Sequence, residues 1–467
     1  MIHQAQTRPA SAGPTPLPLF SRQNWCWEWT RSYTGDSTPI ESSETLLFRG
    51  PLDTGALRDT LAEIATRHEA LRLHLVADAG PGPSAAWPGQ ALRPGPGPLD
   101  TVRAAPQERA AEVTRVLSRP LDLTDRMTRT TLVRTGEEEH VLVAQFHHLI
   151  FDGTSHLLFR DLLAHGYRER VVPDHGTVEH CRAPESYTGL IGREHTPEAR
   201  SAVRARAAAL AGELRAYGTA DPLPGDAGAV VPEAEFASVP LTLTAERTRW
   251  LLRRSRAERV TLHTVLLAAL SHAVATEYER DRLVCSVYTH GRTSASARET
   301  LGLFSTVVPV PVDTEFRSLP AFVRDVHGRI QRATEYTDVP FSEVASRVVD
   351  RPHADGAYHR SALAHLELRL SGVTGWLPEE PNRTPPLPHG LTMTPQGLYP
   401  DHPVPVFAGP EQALACATTL FADLEMTDGA LTGSLWYENR YHDAGRAARV
   451  GDVFMHFVAR LSEDSIS

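Results

Sequence analysis

The sequence predicts an α/β protein built as two sandwich lobes, and three observations carry that expectation. A chain of 467 residues, 41% hydrophobic and 22% charged, is long enough for two ordinary cores. Helical and strand periodicities are interspersed through both halves instead of segregating. The strongest internal break in composition, DPLPGDAGAVVPE from Asp221, falls between them.

The stretch 1–16, rich in Pro, Ser and Thr, reads as a flexible arm, and a first lobe then runs over 17–181. In it Leu57, Leu61, Ile64, Ala65 and Leu71 recur at helical spacing, so LRDTLAEIATRHEALRLHL predicts a helix leading into a short strand. Ala79 to Pro83 and Pro94 to Pro98 predict surface loops. HVLVAQF, His140 to Phe146, is a run of strand formers. After it, Leu157, Leu158, Leu162 and Leu163 predict an amphipathic helix for which Ser155 offers a cap. Residues 182–234 form connecting helices and linker, with a helix from about Glu198 to Tyr217. The second lobe, 235–467, shows helices near Ala245 to Arg256, Leu262 to Tyr278 and Leu319 to Tyr336. Its strands are LVCSVYT, STVVPVPV and ALTGSLWYE, and no internal repeat is detectable. WCWEW, Trp25 to Trp29, reads as lobe packing.

Composition excludes several chemistries. All 47 basic residues are arginine, so a Schiff-base lysine, a biotinyl-lysine and a P-loop lysine are impossible. Four widely spaced cysteines, Cys26, Cys181, Cys285 and Cys416, make neither a zinc knuckle nor a disulfide framework and read as buried thiols. A net charge of −10 gives no footprint for nucleic acid. Without a long apolar run or a secretion signal, the expectation is a cytoplasmic protein with no membrane partner.

The most information-rich segment is HHLIFDG, at the end of the predicted strand. Two histidines, His147 and His148, are followed after three residues by Asp152 and Gly153. A strand end delivers side chains to the rim of a sheet, and Gly153 permits an unusual turn and close approach of a substrate. As a metal site the segment is poor, because adjacent strand residues point to opposite faces. His147 is the inward one and reads as packing. His148 suits general base work, since imidazole titrates near neutrality.

This segment resembles the HHxxxDG core of the condensation domains of non-ribosomal peptide synthetases, within the chloramphenicol acetyltransferase-like superfamily. RHEALR from Arg67, HGR from His290 with LGLFSTVVPV from Leu301, and YTDVPF from Tyr336 resemble further motifs of that family in order, and FSRQNW resembles its opening segment. The resemblance implies two acetyltransferase-like lobes forming a V-shaped pseudo-dimer with a central tunnel and His148 at its middle. It implies that His148 is catalytic, with the backbone N–H of Gly153 contributing. His147 and Asp152 are then structural supports, Asp152 paired with an arginine, and Arg67 and Arg72 candidates for related ion pairs. Where the family has other residues, this chain carries Phe151, Ser305 and Thr306, which become candidate substrate-channel positions.

The activity so implied is amide or ester formation between an acyl thioester and an amine or hydroxyl nucleophile. No metal or enzyme-bound cofactor is expected; the acyl group arrives on the phosphopantetheine arm of a separate acyl or peptidyl carrier protein, and the second partner is a small-molecule nucleophile. No phosphate loop of an adenylating domain and no carrier segment is apparent, so the expectation is a free-standing enzyme of secondary metabolism. Alternatives are a coenzyme A- or lipid-dependent acyltransferase of the same fold, an epimerising relative, and a non-catalytic recruiting module.

Overall fold

The computed structural model describes residues 16–32, 41–76, 88–172, 183–217, 236–348, 364–369, 387–396, 420–427, 429–439 and 442–463. The first half runs α1 (Ser21–Ser32), β1 (Glu41–Arg49), α2 (Thr54–Arg67), β2 (Leu73–Val76), β3 (Gly89–Leu92), β4 (Leu99–Arg103), α3 (Arg109–Leu117), β5 (Thr128–Arg134), β6 (Glu139–His147), α4 (Gly153–Val171), α5 (Tyr187–Glu194) and α6 (Pro197–Arg215). The second runs β7 (Phe236–Leu243), α7 (Ala245–Ala257), α8 (Leu262–Glu277), β8 (Arg282–Thr289), α9 (Ala295–Arg298), β9 (Thr306–Asp313), α10 (Leu319–Thr334), α11 (Phe341–Val348), β10 (Ala364–Arg369), β11 (Thr392–Pro395), β12 (Leu420–Thr427), β13 (Ala430–Glu438) and α12 (Ala444–Glu463). Two sheets carry the lobes, with strand orders β11-β1-β6-β5-β4 and β7-β13-β12-β10-β8-β9.

β6 is a strand for two reasons: its residues favour extended backbone, and antiparallel partners β1 and β5 occupy both its edges. Its side chains split by alternation. Leu142, Ala144 and Phe146 pack in the cluster that holds Leu57, Leu61 and Ile64 of α2 and Phe159 of α4. Val141 and Val143 pack with Val113, Val116 and Leu117 of α3. Burial on both sides, at roughly 1.5–3 kcal/mol for each large apolar side chain, fixes the register, because a one-residue slip would exchange the two sets. The end of β6 is thereby held rigidly, and the HHLIFDG turn begins there.

In the second lobe α8 is buried around most of its circumference, with core clusters from the sheet, α10 and α12 around it. No single helix among the described residues is long and apolar enough to cross a membrane.

The division at residue 235 needs correction. β11 leaves the C-terminal half and pairs with β1 as the edge strand of the first sheet. Leu301, Leu303 and Phe304 also join the first lobe's core, as do Tyr187 and Ile191 of the connecting region. A second correction concerns α4, which starts at Gly153 with Asp152 as its cap, accepting the Ser155 N–H, so Ser155 itself is not the cap. Cys26 and Cys285 are buried, while Cys181, Cys416, the stretch 1–15 and the loop 79–83 lie outside the described residues.

Candidate active site

β6 ends at His147, and a single 3-10 turn, His148–Ile150, leads toward α4. His147 is fully buried; its Nδ1 accepts the N–H of Leu149 at 3.2 Å, and burial pushes its pKa down to about 3. His148 retains 9% of its surface. Its Nδ1 lies 2.5 Å from the carbonyl oxygen of Phe151, and since a carbonyl only accepts, Nδ1 carries the proton and Nε2 is the basic nitrogen. Burial lowers its pKa to about 4 against the opposing pull of that carbonyl and of Asp152, so the imidazole is neutral at pH 7.

The turn is braced from below. Gln23 in FSRQNW donates from Nε2 to the carbonyl of Leu149 at 2.8 Å in a buried contact. Above it, Asp152 is buried and accepts Arg292 Nη1 at 2.7 Å and Nη2 at 3.0 Å, the N–H groups of Phe304 at 2.9 Å and Ser305 at 3.1 Å, and both the N–H and hydroxyl of Ser155 at 2.9 Å. Burial alone would raise the Asp152 pKa, but Arg292 and these N–H donors hold it below the usual carboxylate range. Arg292 lies over the Phe304 ring at 4.5 Å and donates further to the carbonyls of Thr300 and Gly302 at 3.3 Å. One carboxylate therefore joins HHLIFDG of the first lobe to both HGR and LGLFS of the second.

Gly291 of HGR is dictated by that junction. Its φ is +62°, and an added Cβ would stand 1.9 Å from the Phe304 carbonyl oxygen. Gly153 is different: its φ is not positive, and an added Cβ would meet nothing within 4 Å. The expected unusual turn at Gly153 is absent, while open space beside it is present. As the first residue of α4, its N–H is one of the donors a helix leaves without an internal partner.

The sequence pattern of the Condensation domain family matches residues 17–355. Among curated relatives, chondramide synthase cmdD of Chondromyces crocatus is 28% identical over 404 residues, 80% of this chain and 10% of that protein. The nonribosomal peptide synthetase penN of Penicillium thymicola is 24% identical over 73% of this chain and 12% of its own length. The chain belongs to the condensation-domain family. It spans about a tenth of the length of these two relatives. Two solved structures show the same fold: the condensation domain of the Monacolin K polyketide synthase MokA, with TM-score 0.71, 15% identity and coverage of 96% of this chain and 97% of that one, and the X-domain from teicoplanin biosynthesis, with TM-score 0.69, 22% identity and 97% coverage of both.

Within the condensation fold, other site expectations are redistributed. Arg67 pairs with Glu63 at 3.6 Å on the surface of α2, and Arg72 donates to the carbonyls of Ala65, Thr66 and Arg93; neither is the arginine of Asp152. The supports in RHEALR are its middle residues instead. Buried His68 accepts the N–H of Leu301 at 3.1 Å, and Glu69 accepts the N–H and hydroxyl of Thr188 at 2.8 Å. Phe151 is not a channel residue: it is fully buried and stacked on Phe146, centroids 3.8 Å apart. Thr306 is buried at the start of β9, and Ser305 remains partly exposed. A cavity of about 200 Å³ lies in the first lobe between Leu61, Ile64, Phe146, Phe159, Asp100 and Arg126, and none of the expected site residues lines it. Among the described residues no cluster of three or more His, Cys, Asp or Glu side chains is placed to hold a metal.

Proposed function

We propose that this condensation-family protein forms an amide or ester by transferring an acyl group from a carrier-bound thioester to an amine or hydroxyl, with His148 handling the proton. The observation that carries the reading is the fixed tautomer of His148, which makes Nε2 the basic atom of a buried ring whose residue keeps 9% of its surface.

A pKa near 4 decides how such a histidine works. It is too weak to hold a proton at pH 7, so it acts during bond formation and not before it. As the nucleophile's N or O bonds to the thioester carbon, its proton passes to Nε2. When the tetrahedral intermediate collapses, the C–S bond breaks and the thiolate, with an unperturbed pKa of about 8.5, takes that proton. The proton return is downhill, because the thiolate is a stronger base than this buried imidazole. Ser305 and the space beside Gly153 are the substrate-facing positions in this reading, and the Gly153 N–H supports the developing oxyanion. Phosphopantetheine belongs to the carrier partner and supplies the thioester.

The test uses an acyl-loaded carrier protein with a panel of amines and alcohols, and products are read by mass spectrometry. Transfer by the wild type and a loss of about 100-fold or more in His148→Ala are expected. Equal transfer by His148→Ala overturns the role of the histidine. Carrier or enzyme binding with no transfer to any acceptor favours the recruiting module, and transfer from coenzyme A thioesters alone favours the acyltransferase alternative.

A further inference from the structure

A second group of reactive side chains meets on the face of the first sheet that α4 covers. In the β1–β6 register Ser42 stands opposite Phe146 and Glu44 opposite Ala144, so Ser42 and Glu44 share that face. α4 lays His156 and Arg160, one turn apart, over them. His156 Nδ1 lies 2.5 Å from Glu44 Oε1, and His156 Nε2 is within hydrogen-bond distance of Ser42 Oγ. An ionised carboxylate only accepts, so Nδ1 carries a proton, and in the neutral ring Nε2 presents its lone pair and the Ser42 hydroxyl donates to it.

Serine, histidine and carboxylate linked in this order, with this tautomer, form the arrangement that makes a hydroxyl nucleophilic. A purely structural role explains less. Glu44 is buried, but Arg160 already compensates its charge through Nε at 2.8 Å and Nη2 at 2.9 Å, so the histidine is not needed for neutralisation. Nor is the group sealed, because Ser42 is partly exposed and the His156 side chain keeps 20% of its surface. The His156 ring meets the edge of Phe151 at 4.8 Å, and Phe151 is the residue whose carbonyl holds His148. Two histidines that both carry the proton on Nδ1 thus flank one residue.

We propose that Ser42, His156 and Glu44 form a second nucleophilic site beside His148, at which Ser42 takes the acyl group from a thioester and releases it to water. Ser42 Oγ attacks the thioester carbonyl while His156 Nε2 accepts the hydroxyl proton. The C–S bond breaks, the thiolate leaves with that proton, and an ester on Ser42 plus a free thiol results. Water then attacks the ester, His156 passes one of its protons to Ser42 Oγ, and the products are a free acid and the restored serine. The activity removes acyl groups that find no acceptor. It inherits the thioester substrate from the reading above, while the nucleophile and the hydrolysis are additional to it.

The test is a fluorophosphonate probe, which phosphonylates an activated serine with loss of fluoride, followed by peptide mapping. Labelling of Ser42 is expected, absent in Ser42→Ala and slowed by more than about 100-fold in His156→Asn and Glu44→Gln. Hydrolysis of acetyl-N-acetylcysteamine falls in parallel. An unlabelled Ser42 in folded wild-type protein, where a serine hydrolase control is labelled, overturns the proposal, and so does labelling at full rate in folded His156→Asn. The probe needs neither carrier nor acceptor, so its result is independent of the condensation assay.

Discussion

The Asp152 carboxylate receives donors from Arg292, Ser155, Phe304 and Ser305, more than its roughly four lone-pair directions can take in ideal geometry. Such crowding has a clear energetic direction. Removing the guanidinium leaves a buried charge with dipoles alone, and breaking a buried pair from one side costs about 3–5 kcal/mol. Arg292→Met is expected to lose about that much in urea unfolding, and Arg292→Lys to recover little, since an ammonium cannot serve both carboxylate oxygens and the carbonyls of Thr300 and Gly302 together. A loss below about 1 kcal/mol in Arg292→Met would show that the pair is replaceable by packing. The motif residues themselves were readable, but this partnership was not: 140 residues separate Asp152 from Arg292. Separations of 114 and 112 residues likewise hid the pairing of Ser42 and Glu44 with His156.

At the level of elements, legibility follows from where the deciding interactions lie. α7, α8, α10, β8, β9 and β13 were readable to within a few residues because each announces itself through its own periodicity. β11 was not, since TMTP is short, carries a proline, and contains nothing to name β1 as its partner. The start of α4 was ambiguous because Asp152 and Ser155 are both good caps, and only the junction with Arg292 shows why the aspartate holds that place. The two motif glycines make the contrast testable. Gly291→Ala combines positive φ with a backbone clash that no rotamer relieves, and is expected to cost about 3 kcal/mol or more. Gly153→Ala meets no atom of the chain, so its melting temperature is expected to stay near that of the wild type while acyl transfer slows. Undiminished transfer by Gly153→Ala would mean that substrate does not use the space beside α4.

For the molecule as a whole, the lobes are welded by β11, by the Leu301–Ser305 segment and by neutral histidines at or near their junction. His68 and His148 are pushed down to about 4 by burial, His147 to about 3, and in the second lobe His442 to about 4. The unfolded chain protonates these groups near their ordinary value of 6.5, whereas the folded protein does not until the pH approaches 4. Between those limits the unfolded state binds more protons, so stability rises with pH and is lost on acidification. Each histidine contributes a slope of up to about 1.4 kcal/mol per pH unit. Asp161, pushed up to about 6 by burial, and Glu194, also raised by burial, act in the opposite sense and offset part of this. Asp152, whose pKa is lowered, adds its own loss only as the pH falls below the ordinary range of an aspartate, and so contributes nothing to the slope at pH 5 to 6.5. The urea midpoint is therefore expected to fall from pH 7 to pH 5, before Asp152 titrates. His442→Phe removes one of these histidines while leaving the site residues in place, and is expected to make that fall shallower. A midpoint unchanged between pH 7 and pH 5 would mean that these rings gain compensating partners when protonated.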